Sequence, residues 1–139
     1  MKDARALTDV DRYRRMTGAI VATLQSQGFG WSEGTSLPDQ LAWLADLVHD
    51  TNARRIAEVG FHAGFSSHAF LDASTDVRVV SFDLGEHPHL SAAKRLIDER
   101  FPGRHLLVCG DSRISIPAYA DAHPDARFDI IFVGRRPRV

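Results

Sequence analysis

At 139 residues and 15.4 kDa the chain has the size of one domain and is too short for two ordinary ones. Apolar residues at 44% and charged residues at 25% match a soluble globular protein with material for a core. A net charge of -1, from 17 basic and 18 acidic side chains, gives no field that would recruit nucleic acid or an anionic membrane. No apolar run is long enough to span a bilayer. The N-terminal stretch MKDARALTDVDRYRR mixes acids and bases where a signal peptide needs an apolar run. The lone Cys109 excludes an internal disulfide and points to a reducing cytoplasm.

The first fifty residues read as helical. Val10, Tyr13, Met16, Ile20, Val21 and Leu24 recur at three- and four-residue steps and form one stripe. The glycine-containing stretch QGFGWSEGTS breaks the pattern as a loop. A second helix follows, with Ser36 as N-cap, Pro38 in its first turn, and Leu41, Leu44, Leu47 and Val48 as the buried face. Residues 1–52 thus form an N-terminal helical segment, an accessory layer or a lid.

From residue 53 onward, short apolar runs alternate with helical segments. Strands are expected at Arg55–Val59, Val77–Asp83, His105–Cys109 and Phe128–Val133. Helices are expected at Phe65–Leu71, Leu90–Phe101 and Ile114–Ala122. Four strands alternating with three helices predict an α/β fold: a Rossmann-like, doubly wound parallel sheet with helices on both faces. The near-continuous apolar strands fit burial on both sides, so Ile131 reads as a core residue and Cys109 as a small buried one. Residues 53–139 form this unit, and the whole is one domain.

Ligands of such sheets collect beyond the carboxyl ends of the strands. The first strand there runs into Glu58-Val59-Gly60-Phe61-His62-Ala63-Gly64-Phe65-Ser66-Ser67, with glycines that permit a tight turn and close backbone approach. The spacing differs from the G-x-G-x-x-G of dinucleotide folds, and Glu58 is a poor neighbour for a pyrophosphate. A carboxylate suits a ligand with a cationic or hydroxyl-rich part, although an ordinary strand-to-helix turn accounts for the glycines equally well. Asp83 ends the second strand 23 positions after Gly60, where an acid can accept both hydroxyls of a ribose; an acid capping the turn Asp83-Leu84-Gly85 is the plainer reading. At that edge Asp83 serves a ligand more than the core, so its removal should leave the fold largely intact. The third strand ends in Gly110-Asp111-Ser112, again polar.

AEVGFHAGFSS resembles motif I of the class I S-adenosylmethionine-dependent methyltransferases, and most closely the E-x-G-x-x-x-G-x-S form of their small-molecule O-methyltransferase-like branch. His62 stands where the general pattern has its middle glycine. The resemblance covers residues 37–133. It implies that Glu58, Gly60, His62, Gly64 and Ser66 surround the amino-acid part of the cofactor S-adenosylmethionine, that Asp83 holds its ribose, and that Asp111 and Ser112 flank its adenine. It implies methyl transfer to a small-molecule acceptor and leaves the acceptor unspecified. No catalytic base is identifiable.

Other polar residues carry less. His87 and His89 have a spacing that can chelate a metal, but without a third ligand they read as a solvated loop, and no metal is expected. His49, His68, His105 and His123 read as surface or packing residues. Trp31 and Trp43 cover either the core or the cofactor mouth.

In the resembled family an aspartate, often with Gly-Gly-His, follows the fourth strand, and more strands come after it. Here Gly134-Arg135-Arg136-Pro137-Arg138-Val139 follows. A GC-rich coding string for Val-Asp-Gly-Gly-His-Glu-Tyr, read with one inserted G, gives Val-Gly-Arg-Arg-Pro-Arg-Val. The sequence therefore suggests a truncated or frameshifted methyltransferase whose fourth strand is an exposed edge, open to homo-oligomer formation. Such a chain is expected to bind cofactor without turning over an acceptor. A natural basic tail explains the arginines equally well. The rival readings are an inactive cofactor-binding fragment, a non-enzymatic interaction module, and a nicotinamide-dependent oxidoreductase domain, the last disfavoured by Glu58 and the glycine spacing.

Overall fold

In the computed structural model, which describes residues 2–29 and 37–134 (with side chains from residue 9), two N-terminal helices lead into a four-stranded sheet. Helix α1 (Lys2–Ser26) buries Tyr13, Met16, Ile20 and Leu24, the stripe read from the sequence. Helix α2 (Pro38–Thr51) buries Leu41, Leu44 and Val48. Its N-cap position is Leu37, with no side-chain cap; Ser36 and Trp31 lie outside the described residues, as does the tail from residue 135. Trp43 projects outward from α2 and is exposed.

The sheet and its helices follow in strict alternation: β1 (Arg55–Val59), α3 (Phe65–Ala73), β2 (Arg78–Asp83), α4 (Leu90–Arg100), β3 (His105–Cys109), α5 (Ser112–Ala122) and β4 (Ile130–Val133). All strands are parallel, in the order β3-β2-β1-β4. The chain runs outward from β1 through β2 to β3 and then returns to the other side of β1. The junction of β1 and β4 is therefore the place where strand order reverses, and a crevice opens there at the carboxyl ends.

The two faces of the sheet are covered unequally. Period-2 alternation sends Ile56 and Glu58 of β1, Val79 and Ser81 of β2, His105 of β3 and Ile130 and Phe132 of β4 to one side. That side packs against α3, as the edge-on contact of Phe70 with Phe132 shows at 5.8 Å. α1, α2 and α4 complete this layer, so one apolar core runs from Tyr13 through Leu41 and Phe70 to Ile97. Arg12 clamps Asp72 with two hydrogen bonds of 2.8 and 2.7 Å, tying α1 to α3.

Among the described residues the opposite face carries α5 alone, through contacts such as Phe82 with Tyr119 at 5.6 Å. α5 covers the middle strands and leaves the edges open. Ile131 is consequently 68% exposed and Val133 66%. The expectation that Ile131 is a core residue is corrected: its side chain leaves the sheet on the α5 face, at the β4 edge that α5 does not reach. Cys109 is exposed too, at the end of β3, which is an edge strand among the described residues.

Candidate functional site

The crevice has a volume of about 360 Å³ and is lined by the ends of all four strands: Val59 and Gly60, Phe82 and Asp83, Gly110 and Asp111, and Gly134. His62, Leu84, His87, Ser112 and Arg113 complete the wall. A larger hollow of about 770 Å³, flanked by Arg54, Arg55 and Arg78, lies at the amino ends of the strands, the end where sheets of this kind do not gather their ligands.

The loop between β1 and α3 is shaped by backbone conformations that demand glycine. Gly60 has φ 96° and Gly64 φ 81°. His62, between them, also occupies the left-handed region at φ 55°, uncommon for a residue with a side chain, and here its backbone N–H is held. Asp83 holds it. Its Oδ2 accepts the backbone N–H of Phe61 at 2.8 Å and that of His62 at 3.1 Å, and its Oδ1 accepts that of Gly85 at 2.9 Å. Burial opposes ionisation of Asp83, yet these three N–H donors and the nearby His62 outweigh it and hold the carboxyl below its ordinary range. A carboxylate offers about four lone-pair sites. Asp83 is thus the staple of the loop and still has capacity to accept from a ligand in the crevice. These three bonds argue against the expectation that the fold is indifferent to its removal.

Glu58 is placed differently from Asp83. It lies beneath the loop on the α3 side of the sheet, fully buried, and does not line the crevice. Its carboxyl receives the hydroxyl of Ser66 in a short hydrogen bond, that of Ser67 at 2.6 Å and that of Ser81 at 2.9 Å. Desolvation still dominates and raises its pKa to about 7. Ser66 is spent on Glu58, and Gly64 lies under the loop with its Cα facing Phe61 and Ile97. Glu58, Gly64 and Ser66 therefore form the foundation, while Gly60, His62, Asp83, Asp111 and Ser112 reach the crevice surface.

Asp111 is the N-cap of α5, its Oδ1 accepting the N–H of Arg113 at 2.9 Å, and it pairs with the Arg113 side chain at 2.7 Å. Those donors lower its pKa to about 2. The rim also carries a run of imidazoles. His62 and His87 have ring centroids 5.1 Å apart, and His87 stacks on His89 at the same distance. Among the described residues no group of three or more His, Cys, Asp or Glu is arranged to hold a metal ion.

Sequence reasoning missed Ser67, Ser81 and His105, which stand behind Glu58, and Leu84, His87 and Arg113 on the wall. A signal for the first set was present: Ile56 and Glu58 alternate onto one face, so the partners of Glu58 had to be sought in the core layer.

No family profile and no curated protein matches the sequence. Solved structures do match the fold. The O-methyltransferase TomG from Streptomyces achromogenes, involved in tomaymycin synthesis and solved with SAM, superposes with a TM-score of 0.61 at 30% identity, over 73% of this chain and 45% of that one. An SAH-bound methyltransferase of Podospora anserina gives 0.65 at 22%, over 84% and 50%. An O-methyltransferase from Bacillus cereus in complex with SAH gives 0.64 at 21%, over 85% and 53%. The chain spans about half the length of these proteins. It has the α/β Rossmann-like fold of the class I S-adenosylmethionine-dependent O-methyltransferases.

Proposed function

We propose that the crevice binds S-adenosylmethionine and that the chain is the cofactor-binding part of a methyltransferase acting on a small-molecule oxygen acceptor. The observation that carries this reading is the Asp83 staple, an ionised carboxylate that fixes a glycine turn at the strand-order reversal and keeps capacity for hydroxyl donors. The residues fit the group. Gly60 and His62 border the place for its amino-acid part, Asp83 that for a ribose, and Asp111 with Ser112 that for a purine. The crevice volume of about 360 Å³ falls within the range of small-molecule sites. When bound, the cofactor supplies an electrophilic methyl group on a sulfonium.

This chain's contribution is to hold that cofactor in one orientation, since methyl transfer depends mainly on alignment of acceptor and methyl. The position after β4 is Gly134, whose N–H donates to the Val59 carbonyl at 2.9 Å and which brings no carboxylate to the crevice. Among the described residues no helix is long and apolar enough to cross a membrane; with a lone cysteine, the reducing cytoplasm is the compartment we propose.

Asp83→Ala tests the reading. It frees three backbone N–H groups, of which those of Phe61 and His62 sit in the binding loop. Each unsatisfied buried donor costs about 1–3 kcal/mol. The variant should lose about 2–4 kcal/mol in urea unfolding and lose S-adenosylhomocysteine binding by more than about tenfold. Unchanged affinity in a folded variant would remove Asp83 from the site.

A further inference from the structure

A continuous chain of polar groups crosses the sheet beneath the crevice. Lys94 on α4 donates from Nζ to His105 Nδ1 at 3.1 Å and to the His105 carbonyl at 2.8 Å, and pairs with Asp98 at 2.7 Å. His105 Nε2 lies 2.9 Å from Ser81 Oγ, and Ser81 Oγ lies 2.9 Å from Glu58 Oε1. An ammonium can only donate, so His105 Nδ1 accepts, and the neutral ring carries its proton on Nε2. The hydroxyl of Ser81 receives that proton's hydrogen bond and passes its own on to Glu58. Every link points the same way, from the cation at the surface to the carboxyl at the centre. His105, Ser81 and Glu58 are all buried. The same imidazole lies against Phe61, ring centroids 5.1 Å apart, and Phe61 is the second residue of the glycine loop.

We propose that His105 is a positioning residue for the crevice: it supports the Gly60–Gly64 loop directly through the Phe61 ring and, through Ser81, orients the carboxyl of Glu58 that anchors Ser66 and Ser67 at the start of α3. This rests on the reading of the crevice as a cofactor site only where affinity is the readout. The groups that bear on the network are few. Glu58 faces Ser66 and Ser67 from α3 and Ser81 from β2, with the Asp83 charge near. His105 faces Lys94 from α4, His68 from α3 and the Phe61 ring. Burial and Lys94 push the His105 pKa down to about 3, so the ring keeps its neutral tautomer at physiological pH. Glu58, with its pKa raised to about 7, changes state near neutrality. Once protonated it becomes a donor, and one of its three hydroxyl donors must turn away. The loop above then feels pH through groups that never touch the ligand.

The test uses the full chain with His105→Leu, His105→Gln and Ser81→Ala. Calorimetry of S-adenosylhomocysteine binding from pH 6 to 8.5 is combined with amide shifts of Gly60, Phe61 and His62 in the ligand-free protein. In the wild type the amides of Gly60 and Phe61 should titrate with a midpoint near neutrality that Glu58→Gln abolishes, and the His105 ring nitrogens should report the Nε2–H tautomer. Ser81→Ala should displace that midpoint and weaken binding about tenfold, as expected for a lost hydrogen bond to a charged group. His105→Gln, which keeps a donor toward Ser81, should restore most of what His105→Leu loses. If the Leu variant does not fold, Ser81→Ala and His105→Gln decide alone. Loop amides without a neutral titration, or a Ser81→Ala variant identical to wild type in both readouts, would overturn the inference. A wild type that shows the titration but binds no S-adenosylhomocysteine would instead contradict the functional reading and leave the network standing.

Discussion

Gly64→Ala should lower the stability of the fold by about 2–4 kcal/mol and the melting midpoint by about 10 °C. Two costs add. At φ 81° any residue with a Cβ is strained by roughly 1–2 kcal/mol. That Cβ would also lie 3.0 Å from Ile97 Cδ1 and 3.0 Å from Phe61 Cζ, both on buried side chains that would have to shift to admit it. Gly103 is the internal control. Its φ of 72° carries similar backbone strain, but no atom lies within 4 Å of the added carbon, so Gly103→Ala should cost only about 1 kcal/mol. Thermal unfolding of the two variants side by side checks the difference. Equal losses would mean that Phe61 is not packed under the loop as described.

Acid should destabilise the protein along a curve with a shoulder. His68 and His105 are buried and neutral, with pKa values lowered from 6.5 to about 4 and about 3, chiefly by desolvation. His68 also donates from Nδ1 to the Gly64 carbonyl at 2.9 Å, which only partly offsets the burial. Below pH 6.5 the unfolded chain takes up protons that the folded chain refuses, so stability falls as pH falls. At pH 5 each histidine removes about 2 kcal/mol. Glu58 works in the opposite direction. Its folded pKa of about 7 lies above the ordinary 4.5, so its destabilisation is full above pH 7 and is relieved on descent to 4.5, by about 2 kcal/mol between pH 7 and 5. The wild type should therefore lose only about 2 kcal/mol between pH 7 and 5 and fall steeply below pH 4.5, where Glu58 has no more to give. Glu58→Gln abolishes the compensation and should lose about 2 kcal/mol more than wild type over the same interval. Parallel urea titrations at pH 7, 5 and 4 measure both curves. Identical curves for the two proteins would show that Glu58 is ionised at neutrality like any surface acid.

Much of this fold was legible because its strands and helices differ in period. RIAEV and HLLVC match β1 and β3 to the residue, and the α1 stripe from Tyr13 to Leu24 is the buried one. Boundaries shifted where end effects act: β2 begins at Arg78 after Val77, β4 at Ile130 after the Asp129 turn, and α5 at Ser112 because Asp111 caps it. What local pattern does not encode is which face of each strand finds a cover. The apolar run FDIIFV looks buried on both sides, yet only Phe132 and Ile130 meet α3, and Ile131 faces outward. The site was legible by the same logic and failed in the same way. Position after a strand identified Gly60, His62, Asp83, Asp111 and Ser112 as crevice residues, whereas the alternation that turns Glu58 inward requires the sheet. The roles of His105 and Ser81 arise from parallel register across β1, β2 and β3, a relation between residues more than twenty positions apart.

The most direct test of the account is titration of the chain, well folded by circular dichroism, with S-adenosylhomocysteine and, separately, with NAD. The crevice as built predicts saturable one-to-one binding of S-adenosylhomocysteine that stabilises the fold by about 2.7 kcal/mol at a hundred times the dissociation constant, and no response to NAD. Indifference of the folded chain to millimolar S-adenosylhomocysteine, or a preference for NAD, would contradict it.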